Sequence, residues 1–302
     1  LAWDERGPAR PGPHRFTAVA AFAVLGYAAI NLGSLLGPVI GGLLRKSAGP
    51  AVVYGLWTGA LVTAALACAV AAALGPRRDD PGKPRPEQGP YRAPEPAQPA
   101  PTPSVAMALA GLALLAVPET VTLLGSAVSE PPASLFSGPN IAWIFTVNPM
   151  VVVLGSVVVA GLLLAAALQR STLPPLLLYG VGQALFAVGL GITALTGVGG
   201  VGVFALGEAV RGLGEAAMFG VPLAYAAIAV RGRAATLVVA GWFSASALIS
   251  LVANLLGGFE ALHLPLLALC TLAGLAMAAA LLALGKKIHE SFFDPPAPGL
   301  DA

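Results

Sequence analysis

The chain has 302 residues, 57% of them hydrophobic and only 10% charged, with a mean hydropathy of +0.84. Soluble domains average about 25% charged and 45–50% apolar residues, so this composition excludes an ordinary water-soluble globule. A net charge of +2 with scattered Lys and Arg excludes a nucleic-acid surface. Cys68 and Cys270, both inside apolar runs, provide neither a disulfide framework nor a zinc cluster. What remains is an all-α polytopic membrane protein.

A helix needs about 20 apolar residues to cross a bilayer. Eight stretches qualify: about 16–44, 51–75, 104–128, 140–168, 173–196, 200–230, 234–258 and 264–284. The first is too long for a signal peptide, and no Ala-x-Ala cleavage pattern follows a short apolar core. It contains Asn31, whose amide needs hydrogen-bond partners in hydrocarbon. Gly33, Gly37 and Gly41 follow as a small-residue stripe suited to close helix packing. Residues 76–103 hold ten prolines in 28 residues with both charge signs interspersed, which makes them an extended, solvated tether.

In the third span Glu119 follows Pro118 among Val, Ala and Leu. Such a carboxyl must find a basic partner on another helix, face a wet cavity or stay protonated, and it suits a proton relay. If 104–128 crosses only in part, Glu119 lies near water instead. In the fourth span Asn148 precedes Pro149, which removes a backbone donor. The sixth carries Glu208, Arg211 and Glu215 at i, i+3 and i+7, on one helix face, so Arg211 can reach either carboxylate. The plain alternative is a cluster that neutralises itself so that the helix inserts. In the seventh, Trp242 and Ser246 lie one turn apart, and the Trp also suits an interfacial anchor. Ser34, Ser126 and Ser156 read as small helical residues, and His14, His263 and His289 as loop or tail residues. Gly199-Gly200 reads as a short turn. No nucleotide loop, metal-ligand cluster or nucleophile–base pair appears, so no enzyme activity, metal or cofactor is expected.

Cytoplasmic loops retain positive charge. With the N-terminus cytoplasmic, 13 Lys and Arg fall inside and only Arg45 and Lys46 outside. Both termini are then cytoplasmic, in a multi-pass protein of the cytoplasmic membrane. The expected organisation is a tail at 1–15, a two-helix unit at 16–75, the Pro-rich cytoplasmic linker at 76–103, a six-helix bundle at 104–284 and a tail at 285–302.

Four segments together resemble the proton-dependent oligopeptide transporters, a branch of the major facilitator superfamily. Tyr27-Ala-Ala-Ile30-Asn31-Leu32-Gly33-Ser34 is similar to the family's fifth-span "FYxxINxGS" signature, and Thr146-Val147-Asn148-Pro149 to its eighth-span "xxNPxxI" pattern. Gly214-Glu215 with Pro222 resembles the tenth-span "GELxxSPxG" pattern, with Phe219-Gly220 where the family has Ser-Pro. Ala240-Gly241-Trp242-Phe243-Ser244-Ala245-Ser246 with Gly257-Gly258 resembles the eleventh-span "GxWFLxxAxxxxxxG". Glu119, followed by Thr120 rather than the usual Gln, falls near the family's seventh-span acidic residue.

The resemblance implies a partial major facilitator fold and a symporter for di- and tripeptides driven by H+ as coupling ion. It also implies that Asn31, Asn148 and Glu215 hold the amino end of the peptide, since a carboxylate with two amides suits an ammonium group. Trp242 and Ser246 would line side-chain pockets, while Glu119 and Glu215 would serve proton coupling, with Arg211, which has no counterpart in the family, in place of a basic partner that the family supplies from another helix. The match begins just before the family's fifth span, without the first-span "ExxERFxYY" motif. The chain alone is therefore expected not to transport, and a second chain or upstream coding sequence would supply the missing spans. The alternatives are a non-transporting membrane scaffold, or the same scaffold moving another small solute.

Overall fold

In hydrocarbon every backbone amide must be paired, and a helix does this within one segment. The computed structural model describes residues 13–49, nine positions between 51 and 66, and residues 105–129, 141–169, 175–229, 233–257 and 260–293. Every element among them is a helix: α1 (Pro13–Ala48), α2 (Val105–Val128), α3 (Ile141–Leu168), α4 (Pro175–Ala194), α5 (Thr196–Met218), α6 (Gly220–Ala229), α7 (Arg233–Gly257) and α8 (Glu260–Phe292). By contacts the chain divides into Leu1–Gly33 with Ala100–Ala302, and Ser34–Pro99. The site described below belongs to the first unit. In the second, the left-handed Gly49 (φ +85°) stops α1.

Among the described residues, five stretches are long and apolar enough to cross a bilayer: Thr17–Gly37, Ala106–Val128, Thr146–Leu168, Pro175–Ala194 and Leu262–Phe292. The outward stripe of α3 fits that setting. Leu154, Val158 and Leu162, one turn apart, are 63%, 61% and 60% exposed, a surface suited to acyl chains rather than water. The chain is a helical membrane protein with several such helices.

The other three expected spans fare differently. The 51–75 stretch lies largely outside the described residues. The expected single span at 200–230 is two helices, α5 and α6. Pro222 has no N–H for the Met218 carbonyl, and its ring crowds that turn, so the helix is interrupted at Phe219. In α7 the apolar stretch is shorter, Val238–Ala253.

The closest packing lies between α4 and α5. A Cβ on Gly214 would sit 2.5 Å from the Phe186 nitrogen and 2.6 Å from the Gly182 oxygen, and one on Gly182 would sit 2.7 Å from the Gly214 oxygen. Seven residues along each helix the contact repeats, with a Gly207 Cβ 3.0 Å from the Gly189 oxygen. The pairs 182 with 214 and 189 with 207 define an antiparallel seam in which only glycine lets the backbones meet. At Gly33, by contrast, a Cβ would meet nothing within 4 Å, so the expected stripe does not make a close contact there.

Around that seam Tyr179, Phe186 and Leu190 of α4 pack with Leu112 and Leu115 of α2 and with Ala20, Ala21 and Val24 of α1. Gly220 lets α1 settle on the α5–α6 interruption, since a Cβ there would lie 2.9 Å from the Val24 nitrogen. In α2, Pro118 disturbs the preceding turn. Tyr179, fully buried, donates its hydroxyl to the Leu115 carbonyl at 3.2 Å in that same turn.

Several local expectations need correction. His14 lies in α1, and His263 and His289 in α8, because these helices run past the apolar stretches that reveal them. Consequently α8 takes in the start of the expected tail at 285–302. The expected turn at Gly199-Gly200 is a local break inside α5, where Gly200 adopts φ +67°.

Candidate functional site

The face of α5 that carries Glu208, Arg211 and Glu215 is buried against α3 and α4. Charged groups at such depth stay charged only with partners, and each side chain has them. Arg211 donates from Nη1 to Glu208 Oε1 and to Ser129 Oγ, both at 2.5 Å, and from Nη2 to Ser126 Oγ at 3.0 Å. Its Nη2 lies 3.8 Å from Glu215 Oε1, outside hydrogen-bond distance. The Phe186 ring faces the guanidinium carbon at 5.1 Å, a cation–π contact. Ser126 and Ser129 stand at the C-terminal end of α2, where unpaired carbonyls concentrate negative partial charge and favour a cation.

Glu215 is held from two further helices. Tyr27 of α1 donates its hydroxyl to Oε2 at 2.9 Å, and Asn148 of α3 donates from Nδ2 to Oε1 at 3.2 Å. The second Asn148 amide proton reaches the Glu208 carbonyl at 3.4 Å, so one amide bridges both acidic residues. Gly212 admits this arrangement, because a Cβ there would lie 3.0 Å from the Asn148 oxygen. Tyr27 is oriented by Phe219, whose ring stacks on it at 4.3 Å and 4°. Asn31, one turn along, donates to the Tyr27 carbonyl at 3.1 Å and also lies close to the Tyr27 hydroxyl. Among the described residues each Glu215 oxygen thus accepts one hydrogen bond and retains a lone pair, which is capacity for one more donor, such as an ammonium N–H.

Glu119 is 2% exposed, and its Oε2 has no hydrogen-bond partner among the described residues. It lies within electrostatic range of Glu215, Tyr27 and Tyr179. One turn away, Thr122 donates to the Pro118 carbonyl at 2.9 Å and approaches Gln183 Oε1 at 3.2 Å.

Tyr27, Asn31, Asn148, Arg211 and Glu215 therefore form one cluster, with Glu119 at its edge. Trp242 and Ser246 are half-buried on α7, which packs against α2 and α6. Among the described residues no hydrogen bond, ion pair or ring contact links either to Glu215. Ser126, read from sequence as a small helical residue, is instead an Arg211 acceptor. Ser129, Phe186 and Phe219 carry no signal of their own in an apolar sequence. The one hint that the sequence offers is the pair of serines three residues apart at the end of α2.

These features define a helical membrane protein with a buried, partly balanced charge cluster between its helices. No family model, curated protein or solved structure matches the chain.

Proposed function

We propose that the chain is the C-terminal portion of a proton-coupled symporter for di- and tripeptides, with Glu215 as receptor for the peptide's ammonium group. One observation carries the reading. Tyr27, Asn148 and Glu215 come from three segments that separately resemble transporter motifs, and Tyr27 and Asn148 each hydrogen-bond Glu215, one on either carboxylate oxygen. A carboxylate backed by neutral donors and retaining free lone pairs suits an ammonium, through charge-assisted hydrogen bonds. Glu119, close by and without a basic partner among the described residues, supplies a second carboxyl for passing protons. Trp242 and Ser246 would reach the substrate once α7 approaches in another state of the transport cycle. The termini and the 76–103 linker lie on the cytoplasmic side.

The test is thermal unfolding of the purified protein with and without dialanine. Wild type gains stability with ligand, and Glu215→Gln gains none; equal protection of the two removes Glu215 from the site. A second reading, a non-transporting scaffold, is favoured by the Arg211–Glu208 pair, which balances one charge within a single helix. It predicts no protection of wild type by dialanine.

A further inference from the structure

The Glu208–Arg211 pair looks self-sufficient, yet its geometry bears directly on Glu215. A helix offers Arg211 two acidic neighbours, Glu208 one turn before and Glu215 one turn after. The guanidinium takes the first fully and stands 3.8 Å from the second. Two hydroxyls from α2, Ser126 and Ser129, grip it from the far side. Its Nε has no hydrogen-bond partner among the described residues, so all its directed contacts come from these groups. The consequence falls on Glu215, whose oxygens, among the described residues, otherwise accept only from Tyr27 and Asn148, both uncharged. A buried guanidinium cannot remain without a carboxylate. If Glu208 lost its charge, the nearest remaining anion would be Glu215.

We propose that Glu208 is a positioning residue: with Ser126 and Ser129 it holds Arg211 back from Glu215, which keeps that carboxylate open to an external ammonium group. Without this restraint Arg211 closes on Glu215 and occupies the ligand's place. The inference rests on the reading of Glu215 as an ammonium receptor. It adds that the site carries its own competing cation, and that the balance between two carboxylates on one helix sets affinity.

Two measurements on the purified full chain test this. In the first, Glu208→Gln weakens dialanine binding about tenfold, because an internal cation now competes. Adding Arg211→Gln to it restores binding to within about threefold of wild type. A merely structural role for Glu208 predicts that the second substitution makes matters worse. Wild-type binding by Glu208→Gln, or a double variant no better than the single, overturns the proposal.

The second needs no ligand. A hydrophobic carbodiimide reacts poorly with an ion-paired carboxylate, so mass-spectrometric labelling at Glu215 falls several-fold in Glu208→Gln and recovers in the double variant. Should Glu208→Gln fail to fold, Ser126→Ala with Ser129→Ala releases the other half of the restraint and lowers labelling in the same direction. Labelling at Glu215 that is unchanged by these substitutions overturns the proposal. Glu215→Gln binding dialanine as wild type does would sink the functional reading instead, while the labelling still reports where Arg211 sits.

Discussion

Replacing Arg211 and replacing Glu208 should have unequal effects, although the two residues share one salt bridge. The side chains of Arg211 and Glu208 are only 6% and 11% exposed, so neither is relieved by water. Arg211→Gln leaves two buried carboxylates facing each other across two helical turns with no cation between them. At an effective dielectric of about 20, the 3.8 Å contact with Glu215 alone represents about 4 kcal/mol of attraction, and the closer Glu208 contact more. Relaxation and water entry reduce this. Breaking a buried pair from one side nonetheless leaves a net loss of about 3–5 kcal/mol. Glu208→Gln is milder. Arg211 still has Glu215 within reach, and the substituted amide retains an acceptor oxygen. The loss is one charge-assisted hydrogen bond at about 1.5–3 kcal/mol, offset by the new pairing. Thermal unfolding in detergent should therefore show Arg211→Gln lowering the apparent Tm on the order of 10 °C and Glu208→Gln by a few degrees. Equal losses, or an Arg211→Gln loss below about 1 kcal/mol, would refute the idea that Arg211 balances both carboxylates.

Other predictions follow from contacts away from the ion pair. Gly214→Ala places a Cβ against the Phe186 and Gly182 backbones of α4, which cannot swing aside, and should abolish folded protein in size-exclusion profiles. Gly161→Ala, where a Cβ would meet nothing within 4 Å, should leave stability unchanged or raise it by about 0.5–1 kcal/mol through helix propensity. Tyr27→Phe keeps the stack on Phe219 but removes the donor to Glu215 Oε2. It should weaken dialanine binding about tenfold in calorimetry, with a small change in Tm.

Charge is what makes the site legible in the sequence. Acidic and basic residues are so scarce in the apolar stretches that Glu119, Glu208, Arg211 and Glu215 stand out without comparison to other proteins. Helical spacing alone puts the last three on one face, and the structure places Arg211 between two carboxylates accordingly. The neutral members are legible only in part. Asn148 is costly in hydrocarbon and so draws attention, whereas Ser126 and Ser129 fit any apolar helix and acquire meaning only when Arg211 arrives from another one. Phe219-Gly220, a departure from the transporter motif, serves packing: Phe219 orients Tyr27, and Gly220 admits Val24. The Gly182–Gly214 seam eludes sequence reasoning because its regularity lies in the pairing of two helices, and neither stripe stands out alone. Apolar composition does not reveal an interruption within a stretch, as at Pro222.

The central claim concerns a charge on the ligand, and a ligand can be changed more cleanly than the protein. Equilibrium binding of dialanine and of N-acetyl-dialanine to the same purified chain isolates it, because acetylation removes the ammonium and leaves the remainder of the peptide intact. If Glu215 receives that ammonium beside Tyr27 and Asn148, dialanine binds and the acetylated peptide does not. Equal affinity for the two would contradict it.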